Sequence, residues 1–158
     1  MPLENNQPII VFDVNETLLD ITTLEPLFER LFGDSAVMRE WFAQLILYSQ
    51  TLTLSDIYTP FGDLAAGSLK MLASHYDTKA TASDIDELQQ RIGDMPAHHD
   101  VAPALSQLRD AGFRLVTLTN SAPAPSPTPL EKAGLASYFE QSFSVEQVKK
   151  YKPAAETY

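Results

Sequence analysis

PIIVFDVNETLLD, residues 8–20, is the stretch whose reading decides the fold. Ile9 to Phe12 form a continuous apolar run closed by the carboxylate of Asp13. Unbroken rather than alternating apolarity predicts a strand buried on both faces, as in a parallel sheet. A parallel sheet needs long crossover connections, usually helical, between its strands. The chain that follows should therefore turn helical, and its residue pattern says that it does.

TTLEPLFERLFG, residues 22–33, opens on threonine and places apolar residues at Leu24, Leu27, Phe28 and Leu31 before stopping at Gly33. That is an amphipathic helix with start and stop signals. Residues 34–50 repeat the pattern, with Asp34 or Ser35 as cap and an apolar face through Met38, Trp41, Phe42, Leu45 and Ile46. Two further helices are predicted at 60–76 and 83–95, the second opened by Ser83 with Glu87 close behind. No strand pattern interrupts residues 22–95. MPAHHDVAP then forms a proline-containing joint, in which His98 and His99 read as a surface loop or hinge. A helix at 102–111 ending at Gly112, a strand at 113–120, a short helix at 130–135 and a third strand within 138–144 complete the order. Alternating prolines in APAPSPTP, residues 122–129, delay that short helix until Thr128 caps it with Pro129 in its first turn. Strands separated by helices give an α/β class: a Rossmann-like, partial parallel sheet with an inserted helical block.

Composition narrows the function classes. The 158 residues are 44% hydrophobic and 20% charged, enough apolar content for a packed core. Acids outnumber bases 21 to 11, for a formal charge of −10, and the pI is near 4.6. Such a chain repels phosphate backbones and anionic lipid, so neither nucleic acid nor membrane is expected as a partner. It has no cysteine, which removes disulfides, thiolate metal sites and cysteine nucleophiles. Glu4 ahead of the first apolar run, without a basic cluster, matches neither a signal peptide nor a membrane span, and a cytoplasmic location is expected.

In open α/β sheets, ligands bind beyond the carboxyl ends of the strands. Three polar groups fall there: Asp13-x-Asn15-x-Thr17, then Thr119-Asn120-Ser121, then Lys152-Pro153. A carboxylate there can act as a nucleophile and form a covalent ester. An ammonium beside it would keep it ionised and oppose developing negative charge. Amides and hydroxyls would orient an anionic substrate group. Singly, a strand-ending aspartate serves as a turn or cap residue and lysines form a solvated face. Their order and placement together are far more specific.

FDVNETLLD, LTNSA and YKP resemble the first three motifs of the haloacid dehalogenase (HAD) superfamily, and within it most closely those of the type II 2-haloacid dehalogenases. The resemblance extends over essentially the whole chain. It implies a core supplied by residues 1–20 and 97–158, a helical cap over residues 21–96, and metal-free, cofactor-free hydrolysis of the carbon–halogen bond of short 2-haloalkanoic acids. By the same resemblance Asp13 is the nucleophile, Thr17 supports its loop, and Lys152 pairs with it. Thr119 and Asn120 hold the aspartate and the substrate carboxylate, with Asn15 and Ser121 beside them. Tyr158 stands near the substrate, and Trp41, Phe42 and Tyr48 line the pocket roof. Homodimerisation through the cap helices, common in the family, is the assembly that the resemblance allows.

Three departures from the family pattern shape the alternatives. Asn15-Glu16 replaces an aromatic-glycine pair. The phosphatase branch carries a second aspartate at the site of Asn15, and an amide is no general acid at neutral pH, which disfavours a magnesium-dependent phosphatase. Phe42 stands where the dehalogenases carry an arginine, with Arg39 one turn earlier on the same helix. The fourth motif, which positions the hydrolytic water, is not among the 158 residues, so the expectation is a partial core whose first strand forms an apolar edge prone to self-association. The competing reading is thus an inactive or truncated relative that binds a small anion or a partner.

Overall fold

The computed structural model describes residues 7–158. Residues 1–6, which include Glu4 and the start of the 1–20 core segment, lie outside the described residues. Strand β1 (Ile9–Phe12) runs into a loop and a 3-10 turn at Ile21–Leu24. Four helices follow without an intervening strand: α1 (Glu25–Phe32), α2 (Val37–Leu54), α3 (Phe61–His75) and α4 (Ala82–Gly93). Helix α5 (Val101–Asp110), strand β2 (Arg114–Thr119), the short α6 (Pro129–Lys132) and strand β3 (Gln141–Ser144) complete the main elements.

The three strands form one parallel sheet in the order β1-β2-β3. Phe12 pairs with Thr117, and Thr119 with Ser144, so all three carboxyl ends lie on one side. The predicted α/β class is the observed one. Its core is a continuous apolar cluster that joins Leu115 and Leu118 of β2 to Leu24, Phe28, Trp41, Leu69 and Leu88 of the helical insert. Trp41 is held there by its indole N–H, which donates to the Ala65 carbonyl at 3.0 Å, and by Phe28, whose ring centroid is 5.4 Å away.

The local signals are refined in several places. Helix α2 is not capped by Asp34 or Ser35 as an N-cap residue. It starts at Val37 behind Ala36, while the Asp34 carboxylate accepts from the Ala36 N–H at 2.8 Å, and it runs on to Leu54. Thr81, rather than Ser83, opens α4: its hydroxyl accepts from the Asp84 N–H while the Asp84 carboxylate accepts from the Thr81 N–H, a reciprocal capping box. Thr128 caps α6 as predicted, with Pro129 in the first turn and Glu131 closing the box. The third strand is confined to Gln141–Ser144. Strand β1 is not buried on both faces: Ile9 and Val11 are each 51% exposed, because β1 is the outer strand and no described element covers them.

Candidate active site

Parallel pairing explains how residues far apart in sequence meet. The register that sets Phe12 against Thr117 brings Asp13 beside the end of β2, where Leu118, Thr119 and Asn120 follow. Lys152 closes the arrangement. Its ammonium donates to Asp13 Oδ1 at 2.6 Å and to the Leu118 carbonyl at 2.7 Å, while its backbone N–H donates to Asn120 Oδ1 at 3.1 Å. The Thr17 hydroxyl donates to the other carboxylate oxygen, Asp13 Oδ2, at 3.3 Å. The lysine side chain is 17% exposed and the aspartate 46%. A desolvated cation therefore holds a carboxylate that still faces open space.

That space is a pocket of about 320 Å³ lined by Asp13, Asn15, Thr119, Asn120, Lys152 and Pro153 from the sheet side, and by Phe42, Ile46, Gln50 and Phe61 from α2 and α3. Phe42, Ile46 and Gln50 are spaced four apart and share one helix face. Gln50 and Phe61 escape the sequence reading. The polar Gln50 continuing an otherwise apolar stripe was the available signal.

The position of Lys152 depends on its neighbour. Tyr151 is wholly buried; its N–H donates to Thr53 Oγ1 at 2.9 Å and its hydroxyl donates to the Thr59 carbonyl. Its ring packs on Tyr58 and Phe61, with centroids at 5.4 and 5.7 Å. Burial and the adjacent Tyr58 push the Tyr151 phenol well above its ordinary range, so it stays a neutral donor. The last turn of α2 and the segment after it thus anchor the residue next to Lys152 from the helical insert. Lys149 and Lys150 point elsewhere, to Glu146 and the Tyr58 ring and to Asp56 respectively.

The loop after β1 is tied to the joint expected at residues 95–103. The Asp20 N–H donates to the Pro96 carbonyl, the His98 N–H donates to the Leu18 carbonyl, and His98 Nε2–H donates to the Glu16 carbonyl at 3.1 Å. Asp20 is held below the usual carboxylate range by the Thr22 hydroxyl and N–H, with His98 adding to the effect. Glu16 occupies the left-handed region at φ 69°, and its carboxylate pairs with Arg39 of α2. Arg39 lines neither cavity and does not stand in for an arginine at Phe42.

Other expected residues sit elsewhere. The Asn15 amide donates to Ser121 Oγ at 3.2 Å, and the Ser121 N–H donates to Thr119 Oγ1 at 3.1 Å. Ser121 faces a second, larger cavity of about 610 Å³ beside the Asp13 pocket, and Trp41 lines that one too. Tyr48 and Tyr158 line neither, and Tyr158 is 79% exposed. The structure does not bring these two tyrosines to the aspartate. Among the described residues no group of three histidine, aspartate or glutamate side chains is placed to hold a metal ion, and no helix is long and apolar enough to cross a membrane.

Known proteins share this arrangement of strands and helices. An (S)-2-haloacid dehalogenase of Pseudomonas fluorescens is 26% identical over 155 residues, covering 94% of this chain and 66% of that protein. The structure of an L-2-haloacid dehalogenase from Xanthobacter autotrophicus superposes with a TM-score of 0.86 at 23% identity, over 96% of this chain and 62% of that one. The same enzyme with chloropropionic acid covalently bound gives 0.85 at 22% identity, with the same coverage. The chain thus spans slightly less than two thirds of the length of these relatives. The family model described as haloacid dehalogenase-like hydrolase matches residues 8–158, and the chain belongs to that family.

Proposed function

We propose that this protein hydrolyses the carbon–halogen bond of short 2-haloalkanoic acids through an ester on Asp13. The observation that carries the reading is the Asp13 carboxylate, held at 2.6 Å by the Lys152 ammonium and opening into a pocket of about 320 Å³, suited to a small acid. A carboxylate oxygen of Asp13 attacks C2 of the substrate from the face opposite the halogen. The new C–O bond forms as the carbon–halogen bond breaks, the halide leaves with the bonding pair, and C2 inverts. Water then adds to the ester carbonyl carbon of Asp13. The ester breaks to a 2-hydroxy acid, the Asp13 carboxylate is regenerated, and one proton is released.

In this reading Lys152 stabilises the negative charge on Asp13 and on the tetrahedral oxyanion, Thr17 and Asn120 position the loop and the lysine, and Thr119 and Asn15 face the substrate. Residues 21–96 act as a cap whose Phe42, Ile46 and Phe61 exclude water from the displacement step. The covalently bound chloropropionic acid in the Xanthobacter autotrophicus enzyme supports an ester route for this chain. The acidic, cysteine-free composition supports a cytoplasmic enzyme without nucleic-acid partners, and a homodimer through the cap helices accords with the family.

Halide release from 2-chloropropionate or chloroacetate by the full chain, against Asp13→Asn, tests the reading. In water enriched in heavy oxygen, a single turnover should leave the label in the Asp13 carboxylate. Release equal to that of Asp13→Asn across a panel of haloacids would overturn it. Phe42 favours a second reading, an anion-binding relative without turnover, because Lys152 is the only cation among the described residues that line the Asp13 pocket, and it already serves two acceptors. Binding of propionate with no halide release from any haloacid would establish that one.

A further inference from the structure

The larger cavity is not needed for a two- or three-carbon acid. At about 610 Å³ it has the volume of a site for a much bigger ligand, and its walls are mainly apolar, with Trp41, Leu45, Ile92, Met95, Leu130 and Phe143 among them. It is continuous in its lining with the Asp13 pocket. Asn15, Phe42, Phe61 and Thr119 belong to both, so whatever lies against Asp13 has a way past these four side chains into the larger space. Thr117 lines the cavity from the middle of β2; its side chain is fully buried and its hydroxyl has no hydrogen-bond partner among the described residues. Shielded on all sides, that hydroxyl does not open into the cavity.

We propose that the larger cavity is a second subsite, which takes an extended apolar arm on C2 of the substrate. The inference rests on the dehalogenase reading for the chemistry at C2 and adds the substrate class: 2-halo acids with a long apolar substituent rather than the simplest ones. With Asp13 and Lys152 fixed at one end and an apolar chamber at the other, affinity comes from the arm while the carboxylate and halogen stay at the reacting end.

Binding can be read without turnover. Trp41 is the only tryptophan of the chain and lines the cavity, so its fluorescence reports entry. Octanoate should bind at least about tenfold more tightly than propionate and shift the Trp41 emission, since each additional buried methylene contributes to affinity. Gly93 lies at the cavity wall, and a Cβ there would meet nothing nearer than Lys132 Nζ at 4.0 Å. Gly93→Leu should therefore fold, narrow the cavity, remove the advantage of octanoate and leave propionate binding unchanged. Octanoate binding no more tightly than propionate, or an emission shift that survives in Gly93→Leu, would overturn the subsite. The two readings fail separately. Turnover of 2-chloropropionate with no preference for 2-bromooctanoate removes the subsite alone, whereas octanoate binding that Gly93→Leu abolishes, with no halide release from any haloacid, removes the dehalogenase reading and keeps the subsite.

Discussion

Tyr151→Phe isolates the anchor that holds Lys152 in place. The substitution keeps the ring, and with it the packing on Tyr58 and Phe61, and deletes only the hydroxyl that donates to the Thr59 carbonyl. Tyr151 is fully buried, so no water replaces the lost donor. Net loss of the bond together with an unsatisfied buried acceptor amounts to about 1–3 kcal/mol. Removing the ring as well, in Tyr151→Ala, should cost about 3–5 kcal/mol, and the pair of variants separates hydroxyl from ring. Urea unfolding followed by the fluorescence of Trp41, which is buried and unique, measures both. With a urea slope of about 2 kcal/mol/M, a loss of about 2 kcal/mol lowers the midpoint by about 1 M at unchanged slope. A Tyr151→Phe midpoint within about 0.2 M of the parent chain would refute the argument, because the hydroxyl would then contribute nothing that the ring does not.

Thr81→Ala removes one half of the capping box of α4 and should lower stability by about 1 kcal/mol in the same assay. Acid sensitivity follows from Asp84, which the Thr81 hydroxyl and N–H and then Arg30 hold below the usual carboxylate range. A carboxyl depressed in the folded state stabilises fully above its unfolded value and loses that contribution as pH falls through the folded one. The urea midpoint should therefore hold from about pH 7 to 5 and decline below about pH 4, less steeply in Asp84→Asn. Glu16, at φ 69°, takes a backbone conformation that a β-branched residue resists, so Glu16→Val should destabilise by about 1–2 kcal/mol while Glu16→Gly unfolds at or above the parent midpoint.

Much of this was legible because chemistry and period agree. Apolar spacing located all four helices of the insert, and Asp13 and Asn120 were readable because each lies just past a strand, with Lys152 eight residues beyond the third. What resisted reading depends on space between elements. Thr81 and Ser83 are both good helix openers; only the reciprocal bond with Asp84, three residues after Thr81, selects the first. Tyr151 stands in the sequence only as the first residue of YKP, and nothing local says that Thr53 and Thr59 will be there to receive it. The apolar run at Ile9–Phe12 states what β1 is suited to pack against, not what lies beside it, and so Ile9 and Val11 emerge exposed. Gln50 and Phe61 reach the pocket through the packing of α2 and α3 over the sheet, which no stretch of sequence encodes alone.

The Asp13–Lys152 pair closes over 139 positions of chain. During synthesis at about 5–20 residues per second, the aspartate leaves the ribosome about 7–28 s before its lysine. Throughout that interval the growing chain can build helices and bury Trp41, but it carries a bare carboxylate with no counter-charge. Closure of the Asp13–Lys152 pair is thus among the last contacts that the emerging polypeptide can make.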